Sequence, residues 1–333
     1  MSTEMLSARA WALLEQLADG KFHSGEALAH QFGISRASVC NDLADVAASG
    51  IILQRIRGRG YRLAHRWERL AADQIVRLLG DKAGQFDIEV LGHGSSSNAL
   101  LLQRAASMTA NGKSPGCTVL AIEWQTAGRG RLGRTWHSSL GDTLTFSVLW
   151  RFDCGLNALS GLSLSVGVAV VRALATFGAC GVQLKWPNDI VTTQGKLAGV
   201  LIEAQGDMLG PSTVVIGIGL NFHMSQRLAQ RIDQPAVALD EICEAMPSRN
   251  QFLATLLLEL ESVLRQFAQN GFTVLRDEWQ RHHARQNQAI LMHLPNGHAV
   301  HGTALGVSDL GELRVDTAHG IRQFNSGEVG DAR

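Results

Sequence analysis

The sequence predicts an α+β protein in three parts: an N-terminal winged helix-turn-helix, a central mixed α/β domain and a small C-terminal β-barrel. Three observations carry this reading. Three short helical patterns closed by glycines open the chain, and a hairpin signal follows them. From about residue 85, short apolar runs are interspersed with long helical patterns. Residues 290–329 alternate apolar and polar positions between glycine turns.

In the first part, Ala10, Leu13, Leu14 and Leu17 recur at helical spacing up to Gly20. Ser24 caps "GEALAHQF", which ends at Gly33, and Ser35 caps "RASVCNDLADVAASG", which ends at Gly50. Helix, glycine turn and helix make a helix-turn-helix, and "IILQRIRGRGYRL" supplies the hairpin wing. Six arginines against the single Glu68 lie between Arg55 and Arg69. Such a patch suits phosphate contact, while the N-terminal half of the third helix would read base edges. The expected DNA-binding residues are therefore Ser35, Arg36, Ser38 and Asn41 on the helix and Arg55, Arg57 and Arg59 on the wing. A winged helix used only for protein contacts leaves the arginine-rich wing unexplained.

The expected boundaries are a winged helix over 1–66, a linker helix over 67–84, a central domain over 85–280 and a C-terminal domain over 285–333. "CTVLAIEW", "TLTFSVLW" and "TVVIGIGLNF" read as strands, the last as an exposed-edge candidate. "SGLSLSVGVAVVRALATF" and "RNQFLATLLLELESVLRQF" read as helices.

Composition limits the function classes. The chain has 333 residues, 45% of them hydrophobic and 18% charged, with a formal net charge of zero. Nucleic-acid binding must then come from a local patch. The five cysteines (Cys40, Cys117, Cys154, Cys180 and Cys243) are scattered without C-x-x-C spacing. They read as small apolar residues in a reducing cytosol, neither a disulfide frame nor a zinc site. Arg172 interrupts the most apolar run, making it a core helix and not a membrane span. With no leader pattern, a cytoplasmic location is expected.

The stretch "AIEWQTAGRGRLGRTW" carries the spacing G-x-G-x-x-G at Gly128, Gly130 and Gly133. A dinucleotide loop would run directly into a helix, whose N-terminus holds the pyrophosphate. Here a turn and a strand follow, so that reading fails. Glycines that let backbone N–H groups fold around an anion, with Arg129, Arg131 and Arg134 beside them, suit a phosphate or carboxylate. "KWPNDI" adds Lys185, Asn188 and Asp189 on a turn, and "GKLAGVLIE" adds Lys196 at a strand start, with Gly199 allowing close backbone approach. No Ser/His/Asp or Cys/His arrangement demands a hydrolase. The adjacent His282 and His283 cannot jointly face one metal and read as surface residues.

"GRGRLGRTW", "KWPNDI", "GKLAGVLIE" and "GIGLNF", in that order behind a winged helix, resemble a biotin–protein ligase. More narrowly, the chain is similar to the bacterial bifunctional kind that also represses the biotin operon, over nearly its whole length. The resemblance implies a central ligase domain of the biotin/lipoate type and an SH3-like C-terminal barrel. It implies that biotin and ATP form biotinyl-5'-AMP with Mg²⁺, and that biotin then passes to a lysine of a biotin carboxyl carrier protein. It further implies an adenylate-bound homodimer on operator DNA and no membrane partner. By match to the family, Ser96, Ser97, Asn98, Gln125, Arg129, Gly130, Arg131 and Lys196 bind biotin. Arg131, Trp136, Lys185, Asn188 and Asn221 bind ATP, Asp189 holds the metal, and Arg129, Lys185 and Lys196 are catalytic. Ser95 stands where the family has Asp, and Ser97 where it has Thr. "DQPAVALDEI" falls where the family folds a loop over the adenylate, with Val237 and Leu239 expected to exclude water. Two alternatives stand beside this: a lipoate–protein ligase, which normally lacks a winged helix, and a non-enzymatic ligand-sensing repressor.

Overall fold

The structure, a computed structural model, describes residues 6–110 and 117–331; residues 1–5 and 332–333 of the two expected end domains lie outside the described residues. It begins with α1 (Ala8–Gln16), α2 (Gly25–Phe32) and α3 (Arg36–Ala48). The hydroxyls of Ser7, Ser24 and Ser35 accept from the first-turn amides of Ala10, Ala27 and Ser38. Gly20 (φ 70°) and Gly33 (φ 63°) close their helical turns in the left-handed region, where a side chain would be strained. The wing is β1 (Leu53–Ile56) paired antiparallel with β2 (Gly60–Leu63), in the register Leu53 to Leu63. Leu13, Leu14, Leu28, Val39, Leu43 and Val46 pack as one cluster, which also takes in Trp67 and Trp124 from beyond the winged helix.

α4 (Ala72–Leu79) leads into the central sheet. Its elements are β3 (Phe86–Gly94), α5 (Ser97–Ala110), β4 (Cys117–Gln125), β5 (Thr143–Phe152), α6 (Leu162–Thr176), β6 (Gln183–Lys185), β7 (Asp189–Val191), β8 (Lys196–Gly206) and β9 (Ser212–Asn221). After them come α7 (Gln226–Arg231), α8 (Arg249–Asn270) and α9 (Thr273–Arg281). The strand order is β3-β4-β5-β9-β8-β7-β6, with only β3 and β4 parallel. Period-two alternation sends Val119 and Ala121 of β4 to the main core under α6 and α8, and Leu120 and Ile122 to the opposite face under α5.

The expectation that "TVVIGIGL" forms a sheet edge is wrong. β9 pairs with β5 on one side and β8 on the other. An apolar, β-branched run marks a strand but does not say whether both neighbours are present. Besides the outer strands β3 and β6, the second half of β8 is left without a strand partner on one side among the described residues, because the three-residue β7 reaches only as far as Gly199 while β8 continues to Gly206.

The C-terminal sheet comprises β10 (Ala289–His293), β11 (Ala299–Val307), β12 (Leu313–Thr317), β13 (Gly320–Phe324) and β14 (Glu328–Asp331). Its antiparallel order is β13-β12-β11-β10-β14. Among the described residues β13 and β14 do not pair, so the sheet stays open where a barrel was expected. Alternation and glycine turns specify strands, not closure.

The linker is held by a buried polar cluster. Arg249 and Glu123 form an ion pair at 2.6 Å with side chains 2% and 3% exposed. Arg249 also donates to the carbonyls of Glu68 (2.7 Å) and Thr143 (2.9 Å), and Glu123 accepts from Trp67 Nε1 (3.3 Å) and the Leu70 amide. Among the described residues no helix is long and apolar enough to cross a membrane.

Candidate active site

The α5 face of the sheet is hollowed by small residues. On β9, Val215 contributes to the packing under α5, but its same-face neighbours are Gly217 and Gly219. A Cβ on Gly217 would stand 2.1 Å from Asn98 Oδ1, and one on Gly219 would stand 2.3 Å from the Trp136 ring. The cavity is about 280 Å³ and is open to the arginine loop.

Its floor is built where β3 gives way to α5. The Ser97 amide donates to Gln125 Oε1 at 2.7 Å, and the Ala127 amide donates to the Ser95 carbonyl at 2.9 Å. Asn98 Nδ2 donates to the Leu201 carbonyl (3.3 Å) and to Glu203 Oε2 (3.0 Å). Ser147 Oγ lies 2.5 Å from Asn98 Oδ1 and 2.6 Å from Ser97 Oγ. The amide oxygen cannot donate, so the Ser147 proton goes to it and Ser97 donates to Ser147. Asn98 Oδ1 keeps one lone pair and Ser97 Oγ its acceptor capacity, which suits ligand N–H groups. Ser95 has its side chain exposed, outside this network.

The loop closes on itself, with the Gly130 amide on the Arg134 carbonyl (2.7 Å) and the Trp136 amide on the Gly128 carbonyl (3.0 Å). A Cβ on Gly128 would meet the Trp136 carbonyl oxygen at 2.3 Å, so the close crossing needs glycine. Arg129 pairs with Glu203 at 2.8 Å, Arg134 pairs with Glu328 of the C-terminal sheet, and Arg131 donates to Asn188 Oδ1 at 3.2 Å. Burial, and then the neighbouring Arg134, hold the Arg131 guanidinium pKa below its usual value against the opposing pull of Asp189.

Opposite the loop, Lys196 Nζ lies 2.6 Å from Asp189 Oδ1. The Lys196 strand start is paired with a following segment, its amide on the Pro235 carbonyl and its carbonyl on the Val237 amide. Asp233 and Gln234 of that segment line the cavity. The two apolar residues expected to shield the site do not face it. Val237 and Leu239 are fully buried in the main core, where they anchor the segment from behind.

The cavity therefore brings together Ser96, Ser97, Asn98, Gln125, Arg129, Gly130, Arg131, Trp136, Asn188, Asp189 and Lys196 from separate motifs. Asn221 is in the wall of an adjoining hollow, its amide donating to the carbonyls of Lys196 and Val237. Lys185 is not in the wall. It sits cross-strand from Asp189, with its ammonium pKa pushed down by burial. His283, read as a surface residue, is 5% exposed and packs its ring 4.7 Å from that of Trp279. Sequence reasoning missed Ser147, Glu203, Gly217 and Gly219. The signal was present in the alternation of β5, β8 and β9, which puts these residues on the face opposite the core.

Among the described residues no group of three His, Cys, Asp or Glu side chains is placed to hold a metal. The cavity wall offers the carboxylates of Asp189, already on Lys196, and Asp233, a sparse set that fits a Mg²⁺ ion carried mainly by phosphate and water oxygens. On the winged helix, Ser35, Arg36 and Asn41 are exposed along α3, while Ser38 is half-buried against Ser35. Arg55, Arg57 and Arg59 are exposed on the wing, with Arg59 stacked over Phe22 at 4.3 Å and Arg55 over Tyr61 at 5.4 Å.

Comparison with known proteins finds three family matches: an HTH domain over residues 9–62, the Biotin/lipoate A/B protein ligase family over 108–221, and a Biotin protein ligase C terminal domain over 287–329. The bifunctional ligase/repressor BirA of Escherichia coli (strain K12) is 32% identical over 320 residues, covering 95% of each chain. The biotin–[acetyl-CoA-carboxylase] ligase of Mycobacterium tuberculosis is 34% identical, covering 79% of this chain and 94% of its own. Among solved structures, biotin protein ligase from Aquifex aeolicus in complex with biotin and ATP aligns with a TM-score of 0.60 at 26% identity, over 73% of this chain and 97% of that one.

Proposed function

The chain belongs to the biotin protein ligase family, in its bifunctional ligase/repressor branch, and from that premise we propose how its residues divide the work. The protein is an ATP-dependent biotin ligase. A biotin carboxylate oxygen attacks the α-phosphorus of ATP, the bond to pyrophosphate breaks, and biotinyl-5'-AMP forms. The amine of a carrier lysine then attacks the acyl carbon, an amide bond forms, and AMP and a proton leave.

The observation that carries the residue roles is the convergence of floor, loop and strand motifs on one cavity. Ser97 and Asn98 take the ureido N–H groups, with Ser96 and Gln125 shaping the floor. Two anions must meet in adenylation, so charge neutralisation lowers the barrier most. Arg131 and Lys196 supply it at the carboxylate and α-phosphate, with Gly130 offering its backbone. Trp136 walls the nucleotide side together with Asn188 and Asn221. Lys185, cross-strand from Asp189 and outside the cavity wall, acts on the pyrophosphate end through its positive field and not by contact, and Asp189 would help hold Mg²⁺, which would screen the phosphate charges.

The winged helix binds operator DNA through α3 and the wing, and the adenylate-bound protein represses as a homodimer. The carrier protein is the other partner, and the setting is cytoplasmic. The C-terminal sheet is read as SH3-like, supported by its five short antiparallel strands. Pyrophosphate release from ATP and Mg²⁺ tests the enzyme. Release is expected with biotin and not with lipoate; release with lipoate alone, or with neither, would overturn the reading.

A further inference from the structure

We infer that Glu203 is a positioning residue that ties the arginine loop to the pocket floor, so that one carboxylate sets both. The inference rests on the function proposed above. Glu203 stands on β8, on the same face as Gly199 and Leu201, with its side chain 22% exposed. Both oxygens are engaged: Oε1 lies 2.8 Å from Arg129 and Oε2 lies 3.0 Å from Asn98 Nδ2.

At the floor, this fixes the Asn98 amide. Turning it over would aim its oxygen at the Glu203 carboxylate and the Leu201 carbonyl, two acceptors, and would offer Ser147 a donor in place of an acceptor. Glu203 thereby decides that Asn98 shows the ligand an acceptor.

At the loop, the pairing changes what the arginines do. Arg129 is held by Glu203 and Arg134 by Glu328, whereas Arg131 between them has no carboxylate partner among the described residues, only the Asn188 amide. The loop is pinned at both ends by carboxylates, while Arg131 in the middle is held by the Asn188 amide oxygen and the longer-range pull of Asp189. Moving Arg129 onto the ligand would uncover the Glu203 carboxylate beside an incoming anion, and like charges at that range are unfavourable. Arg129 is thus a pin, and Arg131 meets the anion.

The test compares the parent with Glu203→Ala, Glu203→Gln, Arg129→Ala and the Glu203→Ala/Arg129→Ala pair. Glu203→Ala is expected to raise the KM for biotin and the biotinyl-adenylate dissociation rate by about tenfold to a hundredfold, the range for a lost charge-assisted hydrogen bond. Its kcat for pyrophosphate release should fall less than the KM rises, because Arg131 keeps its contact with Asn188 while Asn98 loses a fixed acceptor. Arg129→Ala should match it in dissociation rate, and the pair should be no worse than either single change. Multiplying effects in the pair, a fall in kcat at constant KM, or a silent Glu203→Ala would overturn the inference. If Glu203→Ala fails to fold, as judged by circular dichroism, Glu203→Gln carries the test, since it keeps the volume and loses the charge. Trypsin cleavage at the loop arginines without substrate gives an arm independent of the enzyme assay, and faster cleavage is expected in every variant. A parent that releases no pyrophosphate with biotin would overturn the functional reading, while that cleavage arm would still decide the Glu203 tie.

Discussion

A hydrogen atom in place of a side chain does as much for this site as any charged group. Gly217 and Gly219 lie on the cavity face of a central strand, and each is in van der Waals contact range of a residue proposed to hold ligand. Gly217→Ala would put a methyl group 2.1 Å from Asn98 Oδ1, so the amide must swing away from Ser147 and Glu203. The KM for biotin should rise by about tenfold or more, the worth of one lost polar contact, with the KM for ATP much less affected. Gly84→Ala, where a Cβ meets nothing within 4 Å, is the control, and unchanged biotin kinetics in Gly217→Ala would remove Asn98 from the floor.

At the scale of elements, the contact between linker and ligase core is the most demanding energetically. Arg249 begins α8, Glu123 lies two residues before Gln125 on β4, and both are shut away from water. Removing one partner strands a buried charge, so Arg249→Met should cost roughly 3–5 kcal/mol in chemical denaturation. The double change Arg249→Met/Glu123→Met should be more stable than Arg249→Met alone, and a double variant worse than the single would contradict the isolated-charge account. This pair also shows the limits of reading a sequence. The helices of the winged helix were legible because Ser24, Gly33 and Ser35 act within one turn of chain. The arginine loop was legible because its glycines and arginines are contiguous. Nothing local says that Arg249 reaches Glu123, that β9 is flanked on both sides, or that Lys185 stops short of the cavity wall. Those facts depend on strand order, which hydrophobic alternation does not encode.

Across the whole molecule, one winged helix makes too few contacts for a tight operator complex, so two copies on a two-fold site are expected. With β9 flanked on both sides, the exposed second half of β8 is where a second copy and a carrier are expected to compete, since an edge pairs once. Glu203 lies in that same stretch and holds the loop through Arg129, so ligand that orders the loop is expected to favour the paired form. Sedimentation should show dimers with biotin and ATP and monomers when apo-carrier is added, with operator affinity following the dimer. Operator affinity indifferent to biotin, ATP and carrier would show that the two halves act separately. The second pin of the loop, Arg134 on Glu328, has a consequence for how the protein is made. Chains emerge from the ribosome N-terminus first and fold domain by domain. The helices of the winged helix can form early, but their core waits for Trp124, and the linker waits for Arg249. Glu328 comes later still, on the last strand described. A nascent chain therefore forms its DNA-reading helices well before it can close its loop, and because repression needs the adenylate-bound form, both activities wait for the last strand.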